Sequence, residues 1–441
     1  MAKRPPMTRL VSLLKVSVEG IWFRTLAFTL SGIVLAVGAG LLSVLVPDTM
    51  QLNLGQGAVG SILNIIASSM LAVTTFSLTV MVSAYSSAMS SGTPRSTQLL
   101  LRDHTSQNAL STFVGAFAFS IVGIVALSLN IYSDTGRTLL FLGTLVVIAF
   151  VLIVLLNWIS FLTKFGRMSD ILDRTEKAAH QAVSSYAKDP YLGGVPWLTP
   201  PDGVTEITPD QQGFIVWIDM PALQRIATEA DTHIWVLRRA GSRTGSSEAI
   251  AYILGEHDEE LANAVQRAFV IEKHRTYRQD PRLSVIVLSE ISSRALSPSV
   301  NDPGTSIEVL GVLERVLIHL VGGYDDAEIS YDRVYVNTIS AEDFIDDGFR
   351  PTARDGAAML EVAMRVQTEL MRLMRSADSY WNEALMNAAN QAYERARNTL
   401  IHKKDIDEIE SLHREAIIVS ANRREALMFS AEEGDQKNLQ S

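Results

Sequence analysis

Along the first 170 residues the apolar positions do not alternate with polar ones. They run in four blocks, roughly 25–46, 59–88, 110–132 and 138–163, and none of the four contains a charged residue. Each block exceeds the roughly 18–20 apolar residues that a helix needs to cross the hydrocarbon core, which predicts four transmembrane helices. Basic residues precede the first block, as they precede a signal peptide. Its apolar run is far longer than a signal core, so it is expected to be retained as a span. Pro47 closes it.

Within the second block a finer pattern lies on top of the apolar one. At about 100° per residue, Ser61, Asn64, Ser68, Thr75, Thr79 and Ser86 fall within an arc of about 60°. Leu71 and Val82 interrupt the same arc. A hydroxyl or amide in hydrocarbon must find a partner or water. Two readings follow. Several subunits presenting this stripe to a common axis would line a pore, with Leu71 and Val82 as dewetting constrictions. Alternatively, the small polar residues let helices approach and bond to one another. The pairs Ser111/Gly115 and Ala116/Ser120, with Gly32, Gly38 and Gly40, fit packing alone.

After Arg167 the pattern changes. Residues 170–187 read as a helix, and Pro and Gly are dense from 190 to 203, a linker signature. GFIVWIDM (213–220), THIWVLRRAG (232–241) and AIAYIL (249–254) read as strands. A helix starts at Pro221, and HDEELANAVQRAFVI predicts an amphipathic helix with acids in its first turn. Residues 204–282 are thus expected to form a small α/β module. Residues 283–430 read as mainly helical: 283–296, 303–320 and three or four long amphipathic helices over 341–425, with one strand, YDRVYVNT, at 331–338. Residues 431–441 read as a disordered tail. The expected organisation is a transmembrane domain (1–169), a juxtamembrane helix and linker (170–203), and these two cytoplasmic parts.

Charge sharpens the division. Residues 1–169 hold 10 Lys and Arg against 4 Asp and Glu, and the remainder holds 28 against 44. Lys3, Arg4, Arg9 and Lys15, then Arg95 and Arg102, then Lys164 and Arg167 all fall on one side of the four spans, against Arg137 alone on the other. The positive-inside rule then puts both termini in the cytoplasm. Trp22, Phe23, Trp158 and Phe161 are expected as an aromatic belt on that side. The absence of charge in the spans weighs against proton relays and voltage sensors. The acidic second half argues against nucleic acid as a partner. With no cysteine there is neither a disulfide framework nor a Cys-ligated metal.

No phosphate loop, dinucleotide fingerprint, zinc-protease helix or nucleophile elbow is present in the sequence, and the eight histidines lack ligand spacing. No enzyme, metal site or cofactor is expected. Two segments carry other possible chemistry. HRTYRQDPR (274–282) and SRALSPSVNDPGTSIEVL (293–310) supply Arg275, Arg278, Arg282 and Arg294 near Asn301 and Asp302. Asp302-Pro303 is a helix start. Its N-terminus, with the arginines, is a candidate site for an anion or an interdomain contact. Whether the arginines converge is open at this level.

These segments, together with SSAMSSGTPRSTQLLLRDHTSQNALSTFVGAF after the second span, resemble the bacterial membrane proteins grouped as domain of unknown function 2254. The string from Arg294 to Pro303 is the most specific part. The resemblance implies a multi-pass protein of the bacterial inner membrane with a cytoplasmic C-terminal domain, and it implies no chemistry. The resulting expectation is a homo-oligomer in the lipid bilayer with a channel-like pore lined by the second span and conducting a small ion. The rival is a non-conducting scaffold or sensor whose cytoplasmic domain binds a partner or an anionic ligand.

Overall fold

The computed structural model describes residues 21–42, 56–96, 104–129, 132–256, 258–323 and 328–438. The chain divides into two compact units. The first comprises 1–90 and 97–170; the second comprises 91–96 and 171–441.

The membrane unit is built from α1 (Ile21–Leu42), α2 (Gln56–Ser91), α3 (His104–Ser128) and α4 (Asp134–Leu162). Among the described residues, three helical stretches are long and apolar enough to cross a membrane: Gly57–Met89, Thr105–Ser128 and Asp134–Leu162. The apolar stretch described in α1, Thr25–Gly38, is shorter. The predicted end of that first span, including Pro47, lies outside the described residues. Helices α1 and α3 approach through glycine. A Cβ on Gly32 would lie 2.6 Å from the Gly115 carbonyl oxygen, and one on Gly115 would lie 2.9 Å from that of Phe28. Backbones this close let Thr25 and Ser111 share a hydrogen bond of 3.0 Å.

In the second unit, α5 (Met168–Lys188) leads to β1 (Gly194–Pro196), β2 (Val204–Ile207), β3 (Gly213–Ile218), α6 (Met220–Glu229), β4 (Ile234–Val236), β5 (Arg243–Thr244), β6 (Ala251–Leu254), α7 (Glu259–Gln266) and β7 (Phe269–Glu272). Then follow α8 (Pro281–Ala295), α9 (Pro303–Leu317), β8 (Tyr331–Val336), α10 (Ala341–Gly348), α11 (Arg350–Asp355), α12 (Leu360–Met374), α13 (Ser379–Thr399) and α14 (Lys403–Asn438). Helix starts are set by side-chain caps. Asp219, Asp258, Asp280, Asp302, Ser340 and Asp378 each accept a backbone N–H from the first turn.

A five-stranded sheet runs in the order β1-β8-β4-β6-β2, and β5-β3-β7 form a second, antiparallel one. Ile215, Ile218, Leu223, Ile234, Ile253, Val334 and Val336 pack in one core between these elements.

Several expectations change. The strand predicted at 331–338 is not an isolated strand in a helical domain. It pairs in parallel with β1 and β4, so the boundary expected at 282 does not separate two domains. The predicted helix over 257–271 stops at Gln266, because Phe269–Glu272 pairs with β3. β1, β2 and β5 are too short to show a period. Three long helices, α12, α13 and α14, stand where three or four are expected from 341 onward, and two short ones, α10 and α11, precede them. The last continues to Asn438 where a disordered tail is expected from 431, and 439–441 lie outside the described residues.

Candidate functional site

Helix α2 has two faces of different character. Val59, Leu63, Ile66, Ala67, Met70, Ser77, Met81 and Ala88 are buried within the unit. The other face carries Ser61, Asn64, Ser68, Leu71, Thr75, Thr79, Val82 and Ser86, all exposed. At 100° per residue the two rows lie about 150° apart, so the polar stripe points away from the protomer's own core. Leu71 is 55% and Val82 59% exposed. Away from the stripe, Val73 and Val80 are half-buried and Ile65 is exposed.

The hydroxyls of the stripe largely satisfy themselves. Ser61 donates to the carbonyl of Gly57 (2.7 Å), Ser68 to that of Asn64 (2.9 Å), Thr75 to that of Leu71 (2.9 Å) and Thr79 to that of Thr75 (3.0 Å). Such bonds to the preceding turn let a hydroxyl face hydrocarbon without a second helix. The carboxamide of Asn64 is the group on this face with the largest remaining demand, having two donors and an acceptor.

Ser77, which the helical wheel does not mark, accepts the indole N–H of Trp158 at 2.8 Å. Trp158 is 2% exposed and stacks on Phe161 with centroids 5.2 Å apart. It is therefore a packing residue inside the unit and not a member of an interfacial belt. The side chains of Trp22 and Phe23 lie outside the described residues.

In the second unit the arginine-rich segments resolve into pairs. Arg275 holds Asp280 through two hydrogen bonds of 2.7 and 2.8 Å, and Asp280 is 1% exposed. Arg282 reaches Asp347 at 2.6 Å and Asp343 at 3.1 Å. Its charge is held more firmly than usual: burial opposes it, and the hydrogen bond and charge of Asp347 outweigh that. Arg278 is exposed and Arg294 half-buried. With Arg275 and Arg282 each facing a carboxylate of their own unit, these two do not offer an open anion cradle.

The string Arg294–Pro303 forms a tight connection from α8 to α9. The N–H groups of Val300 and Asn301 donate to the Ser297 carbonyl, and that of Asp302 donates to the Ala295 carbonyl. Asn301 adopts φ +50°, a left-handed conformation that asparagine tolerates better than most side chains. Asp302 accepts from the Thr305 N–H (3.1 Å) and the Thr305 hydroxyl (2.5 Å). The hydroxyl first, and then the backbone N–H, hold its carboxyl below the ordinary carboxylate range. Behind the turn, buried Ser292 bonds to Ser306 at 2.6 Å and receives the Thr352 hydroxyl at 2.8 Å, which ties α8, α9 and α11 together. Sequence periodicity carries no signal for this hydroxyl cluster.

Asp302→Ala should cost about 0.5–2 kcal/mol as a lost cap, and Asp302→Asn should be nearly neutral. A carboxyl with a depressed pKa stabilises above its unfolded value and loses that contribution as pH falls through the folded one. The gap between wild type and Asp302→Ala should therefore narrow in acid. Thermal melts of the full chain in detergent at neutral and acid pH measure it. An equal loss for Asn and Ala would count against the cap.

The family described as "Predicted membrane protein (DUF2254)" matches residues 19–372. The chain belongs to that family. The match covers the membrane helices, both sheets and the bundle up to α12, and it ends before α13 and α14. No curated protein and no solved structure matches the chain.

Proposed function

We propose that this DUF2254 protein is a homo-oligomer of the bacterial inner membrane with four spans and both termini in the cytoplasm. In this reading the outward face of α2 lines a channel-like pore, and the second unit regulates it. The observation that supports it is the direction of the stripe. A polar row placed about 150° from the packed face is where a common axis between subunits would need it. Leu71 and Val82, on that face, are the candidate constrictions. Among the described residues the stripe is exposed on the protomer's surface and not enclosed by it, so conduction in this reading requires several copies.

The back-bonded hydroxyls favour a second reading: a non-conducting scaffold or sensor in which the stripe faces lipid or another helix. A cysteine-free chain separates the two cleanly. For the pore, Ser68→Cys, Thr75→Cys and Thr79→Cys should react with small hydrophilic thiol reagents in liposomes. Val73→Cys and Val80→Cys should react at least about tenfold more slowly. Leu71→Ser or Val82→Ser should raise ion leak, because a polar side chain stabilises water in a narrow apolar ring. Protected stripe cysteines together with electrically silent vesicles would replace the pore with the scaffold.

A further inference from the structure

Helix α14 turns two rows of side chains to different surroundings. Ile409, His413, Ala416 and Ser420 are buried against the rest of the bundle. The His413 ring meets the Gln367 carboxamide on α12 at 3.3 Å, and Asn382 on α13 donates to the Ser420 carbonyl at 3.1 Å. These contacts fix the roll of the helix. They leave a second row exposed: Ile417 (47%), Ala421 and Met428 (66%). At about 100° per residue these three fall within an arc of about 40°. Ile418 (58%) and Phe429 (62%) widen the apolar surface, and Met386 and Asn390 on α13 line the groove beside it. Arg424 lies about 20° beyond one edge of the arc and Glu425 about 40° beyond the other. Both are exposed, and among the described residues neither side chain has an ion-pair or hydrogen-bond partner. Elsewhere on the helix Arg414 pairs with Glu410 at 2.7 Å and Lys404 with Glu408 at 3.8 Å.

We propose that this row is a contact between two copies of the chain, with their α14 helices parallel and in register. A contiguous apolar surface with a polar rim marks a protein–protein contact. The charges decide what covers it and in which direction. In a parallel pair related by a two-fold axis along the helices, one flank of each helix meets the opposite flank of the other, as e and g positions do in a coiled coil. Arg424 of each copy then meets Glu425 of the other, and both free charges are paired. An antiparallel pair joins like flanks and leaves each Arg424 on the arginine side of the other copy. A protein of unrelated sequence would have to supply the matching pattern, whereas a second copy already carries it. The proposal rests on the reading that the chain is a homo-oligomer. It names one contact of that oligomer and does not need a pore.

The chain has no cysteine, so single substitutions report the pairing of the full chain in liposomes. Ile417→Cys and Met428→Cys, tested separately, should each oxidise to a disulfide-linked dimer. Glu415, also exposed, lies about 140° round the helix from the row. Since a disulfide needs Cα atoms within about 7 Å, each yield should exceed that of Glu415→Cys by at least about fivefold. Self-pairing at both positions requires a parallel register. They lie about 16 Å apart along the helix, and an antiparallel pair can bring only one of them to its own counterpart. Adding Arg424→Glu should lower the Met428→Cys yield about threefold, which two lost exposed ion pairs support. Adding Glu425→Arg as well exchanges the flanks and should restore the yield, which mere damage to the helix would not do. If Arg424→Glu fails to fold, Arg424→Gln should lower the yield in the same direction. Yields no greater than at Glu415, cross-linking at only one of the two positions, or a loss that the double exchange does not reverse would overturn the contact. Mass in mild detergent keeps the two ideas apart. A monomer without cross-links removes the contact and the homo-oligomer together, and an oligomer without them removes the contact alone. Cross-linked dimers in vesicles that pass no ions support the contact and remove the pore.

Discussion

Asp280→Ala should be among the most destabilising single substitutions in the second unit, at about 3–5 kcal/mol. Three things depend on that carboxylate. It receives both arms of Arg275, it accepts the Leu283 N–H that starts α8, and it fills the space beside Gly241. Removing it leaves the guanidinium, only 16% exposed, without its counter-charge, and leaves the α8 N-terminus uncapped. Asp280→Asn keeps an oxygen for the cap but not the charge, so its loss should be intermediate. Removing both partners, as Arg275→Met with Asp280→Ala, should cost less than Asp280→Ala alone, because no charge then remains buried. Gly241 should be just as intolerant. Its φ is +93° and a Cβ would meet the Asp280 carboxyl at 2.6 Å. Denaturation of the full chain in detergent checks the series. A neutral Asp280→Ala would refute the account.

Gly32→Val and Gly115→Val should separate α1 from α3. Even a methyl group at Gly32 would overlap the Gly115 carbonyl oxygen, and backbone cannot swing aside as a side chain can. Overpacking costs about 1–3 kcal/mol or more, enough to shift a contact equilibrium tenfold. Thr25 and Ser111 report on it, since their hydroxyl oxygens lie 3.0 Å apart. A Thr25→Cys/Ser111→Cys pair should oxidise to a disulfide readily. Adding Gly32→Val should reduce its yield about tenfold. Gly38→Val, where a Cβ meets nothing within 4 Å, should leave the yield unchanged. Equal yields in all three would show that the glycines do not set the approach.

What the sequence determined by itself is what a bilayer or a single helical turn imposes locally. Hydrocarbon requires long uncharged helices, so the membrane half and its spans are legible as blocks, and the family string is legible as letters. Caps are similarly local: Asp302 and Pro303 announce their helix within four residues. The 100° period of α2 also sets its polar and apolar residues in separate rows. It does not say which row meets the rest of the protomer, since that depends on Leu63 finding Gly123 and Trp158 finding Ser77. Tertiary structure likewise decided the sheet. β8 sits between β1 and β4, and strands of three or four residues carry almost no period of their own. It decided the arginines too. A sequence shows five positive residues and several acids, but only the fold brings Asp280 to Arg275, Asp347 to Arg282 and Glu290 to Arg95. Pairing is a long-range choice that depends on distance in space, and the spacing of residues along a chain does not encode it.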